Sequence, residues 1–280
     1  MSQKTKDFLN DFYQDHKFSA SSPTFQEPAK RRSEESEIEE IWQTPVKQKK
    51  ISRRTKVALF ILFLLVPGVI FFGMKIGDRH YLVISLLLLV LAMLPFFMIF
   101  EDRKPQAREL IVIAVLVAIA VASRGAFFML PQFKPVAAIV IISGVAFGAE
   151  AGFLVGCLTA LVSNIFFSQG PWTPWQMFAF GMIGFVAGLF YRLGWLKATR
   201  TSLCIFGFFS IFFIYGLIMN PASLLMFTSV INVQALIAVF ISGAPMDLIH
   251  AISTVIFLGL LAKPFLEKLA RIKKKYGLVE

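Results

Sequence analysis

Polar side chains that could do chemistry are sparse in this sequence, and they gather at the ends of long apolar runs. Arg124, Lys134, Asn164, Gln169, Gln176, Asp247 and His250 make up the set, with Trp172 and Trp175 beside them. Gln132 shares a short loop with Lys134. A polar or ionisable group inside hydrocarbon is costly and tends to face a cavity or a partner. Two cations, three amides, a carboxylate, an imidazole and two indoles suit the recognition of a small molecule by oriented hydrogen bonds and stacking. They do not suit bond-making. An intramembrane enzyme needs a nucleophile–base pair or a bound metal. Here only Asp247 and His250, three residues apart and so on one helix face, could pair. No third member is evident. The chain has three histidines, and its two cysteines, Cys157 and Cys204, sit inside apolar runs. No disulfide framework, metal site or resident cofactor is expected.

Each of these residues also has an ordinary role. Arg124 suits snorkelling to headgroups. Asp247 follows Gly243-Ala244-Pro245-Met246 and fits a first helical turn, where a carboxylate complements the helix dipole. His250 fits a packing role. Trp172 and Trp175 flank Pro174 at an interface, where tryptophan is enriched. The inference rests on their convergence at one end of one block.

The elements that must position them are membrane helices. The hydrophobic set is 57% of the chain, charged residues are 16%, and mean hydropathy is +0.71. Soluble domains are less apolar and carry about a quarter charged residues, which excludes a water-soluble globule. Net charge is +11, with +3 in residues 1–56 and +8 in the rest. In a membrane protein this charge belongs in cytoplasmic loops, not on a nucleic-acid face. Residues 1–56 are rich in Ser, Lys and Glu and read as a disordered, cytoplasmic polar tail. Lys47, Lys49, Lys50, Arg53, Arg54 and Lys56 anchor its end inside.

Apolar runs follow at 57–74, 81–100, 109–129, 135–149, 151–168, 175–194, 202–219, 222–241 and 245–262. A crossing takes about 20 residues. Nine crossings would put the basic C-terminal tail outside, against the positive-inside rule. The 222–241 run, which follows Asn220-Pro221, is therefore expected to be an outer loop or an interfacial helix. The remaining eight spans put both termini in the cytoplasm. The inner loops are then 101–108, the turn near Glu150 and 191–200; the outer loops are 75–80, 130–134, 168–175 and 220–244. The predicted organisation is a tail (1–56), a transmembrane hairpin (57–104) and a six-helix block (105–280). The fold class is an all-α integral membrane protein.

Small residues mark where helices approach closely. Ala114, Ala118, Ala122 and Ala126 form one stripe, read either as internal packing or as a docking face. Gly144, Gly148, Gly152 and Gly156 repeat the spacing, and Gly184 and Gly188 form a GxxxG pair. The glycines are expected to pack helices internally.

The alanine stripe, the loop Phe167-Ser168-Gln169-Gly170-Pro171-Trp172-Thr173-Pro174-Trp175-Gln176-Met177 and the segment Ser242-Gly243-Ala244-Pro245-Met246-Asp247-Leu248-Ile249-His250-Ala251 resemble the substrate-binding S component of energy-coupling factor (ECF) transporters. The resemblance covers roughly 107–275, and the loop looks closest to cobalamin-type members. It implies capture of a vitamin-like ligand on the outer side. It also implies docking on a transmembrane T component that carries two cytoplasmic ATPases, and toppling in the bilayer to release cargo. Ala114, Ala118 and Ala122 would be the docking surface. Arg124, Lys134, Asn164, Gln169, Trp172, Trp175, Gln176, Asp247 and His250 would be the substrate-binding residues. The polar tail and the extra hairpin depart from the family pattern, and the hairpin would obstruct toppling unless it packs away from the stripe.

The chain has no GxxxxGK[ST] phosphate loop, so ATP hydrolysis falls to a partner. The rival reading is a secondary transporter. Those folds show repeats and ionisable residues near the midplane, and neither is evident here.

Overall fold

The computed structural model describes residues 81–102, 105–227 and 232–276. The predicted tail and the first arm of the predicted hairpin lie outside the described residues. Everything described is helix, turn or short loop, with no strand among the described residues.

The helices are α1 (Tyr81–Asp102), α2 (Ala107–Ala126), α3 (Val136–Phe147), α4 (Ala149–Phe167), α5 (Thr173–Arg192), α6 (Arg200–Ser210), α7 (Leu217–Phe227) and α8 (Val233–Tyr276). A π-helical segment, Ile211–Gly216, joins α6 to α7, so that Arg200–Phe227 runs as one 28-residue helix. With α2, α4, α5 and α8, five helices are long and apolar enough to cross a membrane.

The 222–241 expectation needs correction. Among the described residues no separate interfacial helix forms there. Residues up to Phe227 continue the preceding helix, and α8 begins at Val233. Two prolines explain why the sequence is misleading. Pro221 and Pro245 sit inside α7 and α8 without ending them.

Helix α3 is the centre of the bundle. All its residues from Val136 to Phe147 are buried, as expected of a helix that is apolar all round. At about 1.5 Å per residue its 12 residues fall short of a full crossing. It is walled instead by α2, α4, α5, α6 and α8.

Glycine sets the tightest contacts. Helices α4 and α5 form the most extensive interface of the bundle. A Cβ on Gly152 would lie 2.5 Å from the Gly184 carbonyl oxygen, and one on Gly188 would lie 2.5 Å from the Ala149 nitrogen. Any side chain there would push the helices apart. Gly148, at φ 94°, makes the sharp turn from α3 to α4, a conformation that costs glycine little.

Helix α1 rests on the other face of α4 and α5. Met93 packs with Phe153 and Cys157, and Phe96 stacks on Phe153 with ring centroids 4.1 Å apart. The alanines of α2 behave differently from the glycines. Ile113, Leu116, Val117 and Ala120 are buried, whereas Ala114, Ala118, Ala122 and Ala126 are exposed. The stripe lies on the outside of the bundle, beside exposed Ile111, Val115 and Ile119.

One end of the bundle is basic. Arg192 closes α5, Arg200 opens α6 and Lys273–Lys275 close α8. There Arg108 donates to the Tyr276 carbonyl (3.5 Å), and Lys273 donates to the Ala146 carbonyl (2.8 Å). The polar side chains of interest lie toward the opposite end.

Candidate ligand-binding site

A cavity opens where the α2–α3 loop meets α5, the π-helical segment and α8. It holds about 420 Å³ of empty space, its open mouth included. Its polar wall is Arg124, Gln132, Lys134, Gln176 and His250, and its apolar wall is Val136, Phe180 and Tyr215.

Arg124 sits in the last turn of α2, where a cation complements the helix dipole. Its Nη1 donates to Ser163 Oγ (2.5 Å) and Asn164 Oδ1 (2.7 Å) on α4. Asn164 is fully buried. Its Nδ2 donates in turn to Gln176 Oε1 (2.9 Å) and Thr173 Oγ1 (3.1 Å) on α5. Thr173 Oγ1 also accepts from the Gly170 amide (3.3 Å), which ties down the 168–172 loop. A continuous polar chain thus links three helices and fixes two cavity residues from behind. Such networks hold one geometry when every member is satisfied.

Lys134 comes from the loop between α2 and α3. Phe127 and Phe133 pack against Phe257 of α8, with centroids 5.1 and 5.4 Å away. Ser253 Oγ donates to the Lys134 carbonyl (3.1 Å). These contacts pin the loop over the cavity, with Gln132 in a left-handed conformation at φ 55°. Burial, and then the nearby Arg124 guanidinium, hold the Lys134 ammonium below the usual lysine pKa.

The far wall is aromatic. The Tyr215 ring meets the His250 ring edge-on at 4.7 Å, and Phe180 lies 5.0 Å from Tyr215 and 6.0 Å from His250. Tyr215 is presented by the π-helical segment. Such bulges are frequent at functional sites because the extra residue re-aims the side chains of that turn. His250 is 3% exposed, and its Nδ1 has no hydrogen-bond partner among the described residues.

Of the nine residues expected at the site, Arg124, Lys134, Gln176 and His250 line the cavity, and Asn164 stands directly behind it. The other four lie elsewhere. Gln169 is exposed in its loop, and Trp172 lies over Gly170. Trp175 is half-buried off the cavity, with its Nε1 unpaired among the described residues. Asp247 does not pair with His250. Its Oδ2 accepts from Asn220 Nδ2 (2.9 Å), and it lies against Gly216, so it joins α8 to α7. The sequence reading missed Phe180 and Tyr215. Tyr215 carries a faint signal, being the one tyrosine in the run IFGFFSIFFIYG. Among the described residues no three His, Cys, Asp or Glu side chains gather as a metal site.

A family model described as ECF-type riboflavin transporter, S component, matches residues 104–268. A UPF0397 protein of Vibrio atlanticus (strain LGP32) is 33% identical over 90 residues, which is 30% of this chain and 49% of that protein. The chain thus spans about half the length of the curated relative it matches. No solved structure matches it. The family description names riboflavin, and the expected closeness to cobalamin-type members finds no support in these matches. More than half of the chain is covered by that model and its helices are those of a multi-pass membrane protein, so the chain belongs to the family of ECF-type transporter S components.

Proposed function

We propose that this chain captures a flavin-class vitamin from the outer side of the membrane and delivers it to an ATP-driven module. The carrying observation is the cavity, which joins Arg124, Lys134, Gln176 and His250 from four separate segments at the end away from the basic residues. The positive-inside rule puts the basic end, and with it the C-terminus, in the cytoplasm. The cavity then faces outward.

The walls suit a planar heterocycle rich in carbonyls. Phe180 and Tyr215 offer ring surfaces, and the cations and amides offer donors. The family description names riboflavin, and this favours a flavin over a corrinoid as the ligand.

Delivery rests on the alanine face. Ala114, Ala118 and Ala122 leave a surface on which another helix can approach closely, the kind of contact that drives association in lipid. Helix α1 packs on α4 and α5 and leaves that face open. The partner in this reading is a transmembrane T component bearing two ATPase subunits.

The test is a binding titration of riboflavin on purified full-length protein in lipid nanodiscs, paired with uptake assays. Tight binding by the protein alone, with uptake only when the T component and ATPases are present, supports the proposal. Uptake in liposomes by the chain alone would overturn it in favour of a secondary transporter.

A further inference from the structure

The cavity is charged in one sense only. Arg124 and Lys134 both line it, and among the described residues no Asp or Glu does. Arg124 bonds two neutral oxygens, Ser163 Oγ and Asn164 Oδ1, and these do not offset its charge. Among the described residues Lys134 makes no side-chain hydrogen bond or ion pair; its backbone carbonyl accepts from Ser253 Oγ. The other titratable groups facing the pair are Tyr215 and His250 across the cavity. The acid of that region, Asp247, stands beyond Gly216 with its Oδ2 committed to Asn220. Two part-buried cations without a counter-charge are costly, and proteins keep such groups paired. His250 adds an independent pointer. It is a cavity-lining side chain, almost fully buried, with an unsatisfied nitrogen, and buried polar atoms are rarely left unsatisfied.

We infer that the cargo is an anion: a planar heterocycle bearing a phosphate or carboxylate that sits between Arg124 and Lys134, with its ring against Phe180 and Tyr215 and a polar edge on His250 Nδ1. This rests on the proposal that the cavity holds a flavin-class ligand, and it sharpens it. A neutral flavin fills the aromatic wall but leaves both cations without a counter-charge. An acid derivative supplies the missing charge, and a guanidinium beside an ammonium is a common receptor for either anion. The lowered proton affinity of Lys134 agrees with a site that an anion completes.

The experiment compares three probes on the full-length protein in nanodiscs: riboflavin, riboflavin 5′-phosphate and a 10-carboxymethyl flavin. The expected result is that at least one anionic probe binds about tenfold or more tightly than riboflavin, the size of one charge-assisted hydrogen bond. That preference should shrink as salt is raised. Which of the two acids is preferred separates a phosphate ligand from a carboxylate ligand. Lys134→Gln should abolish the preference, and Lys134→Arg should restore it, with thermal melting confirming that both variants are folded. Equal or tighter binding of riboflavin, or a preference unchanged in Lys134→Gln, overturns the inference and leaves the flavin reading standing. Failure of all three probes to bind overturns both.

Discussion

Asn164, buried on α4, holds Arg124 on α2 through a 2.7 Å hydrogen bond to its Oδ1. With its other end it holds Gln176 on α5. One amide therefore sets the positions of two cavity residues that come from different helices. Asn164→Ala should weaken ligand binding by about 1–3 kcal/mol, because it leaves two part-buried polar groups with a lost partner. Calorimetric titration checks this. Unchanged affinity would show that Arg124 and Gln176 are positioned by other contacts.

The alanine face makes a separate prediction. Ala118 is exposed on α2, so a larger side chain there disturbs nothing inside the bundle. Ala118→Leu should leave ligand affinity within experimental error and abolish uptake, since the added bulk keeps a partner helix away. Measuring both quantities on one variant is the point. Uptake that survives would assign the stripe to contact with lipid.

The glycines predict the reverse pattern. A Cβ on Gly152 would fall 2.5 Å from the Gly184 carbonyl oxygen. Gly152→Ala should lower thermal stability in detergent, by roughly the 1–3 kcal/mol that overpacking costs. A melting curve measured by intrinsic fluorescence reads this directly.

These contrasts show how much was legible in the sequence. The apolar runs gave the helices because a spanning segment has to be long and apolar, and the glycine repeats marked internal packing because only glycine allows such approach. The alanine spacing looks the same as the glycine spacing, and only the structure separates them, one set buried and the other bare. Arg124, Lys134, Gln176 and His250 were legible because polar residues are rare at that depth. Phe180 and Tyr215 were not, because an aromatic ring in a chain with 31 phenylalanines carries no signal. The Asp247–His250 pair failed because sequence spacing shows a shared helix face and not a competing partner. Asn220, 27 residues earlier, takes the carboxylate. The segment 222–241 misled because Pro221 and Pro245 sit inside helices without ending them.

Trp175 separates the sequence reading from the structural one. It looked like a stacking residue, yet it lies off the cavity, where Phe180 and Tyr215 face the space. Trp175→Ala should leave affinity nearly unchanged. Tyr215→Leu should weaken it by about 1–3 kcal/mol, the scale of a lost aromatic contact and its burial. A larger effect from Trp175 than from Tyr215 would move the site toward the 168–175 loop.

Lys134 gives a pH dependence. Burial and Arg124 lower its proton affinity relative to the unfolded chain. Between the lowered folded value and the ordinary lysine value, the unfolded chain binds more protons. Stability of the free protein should therefore rise with pH across that alkaline window. Ligand affinity should fall over the lower part of the window if the proposed anion site holds, because the Lys134 ammonium is lost there. Lys134→Gln should flatten both trends. Melting temperature and affinity measured against pH check the two signs.

The account depends on a ligand cavity beside Gln132 that opens to the outside. Place a cysteine at Gln132 in a chain lacking Cys157 and Cys204, and label intact cells with a membrane-impermeant maleimide. Gln132→Cys should react, and added flavin should protect it. A cysteine at Gly194, toward the basic end, should stay unlabelled. Labelling at Gly194 with none at Gln132, or reaction at Gln132 that saturating ligand does not slow, would contradict the account.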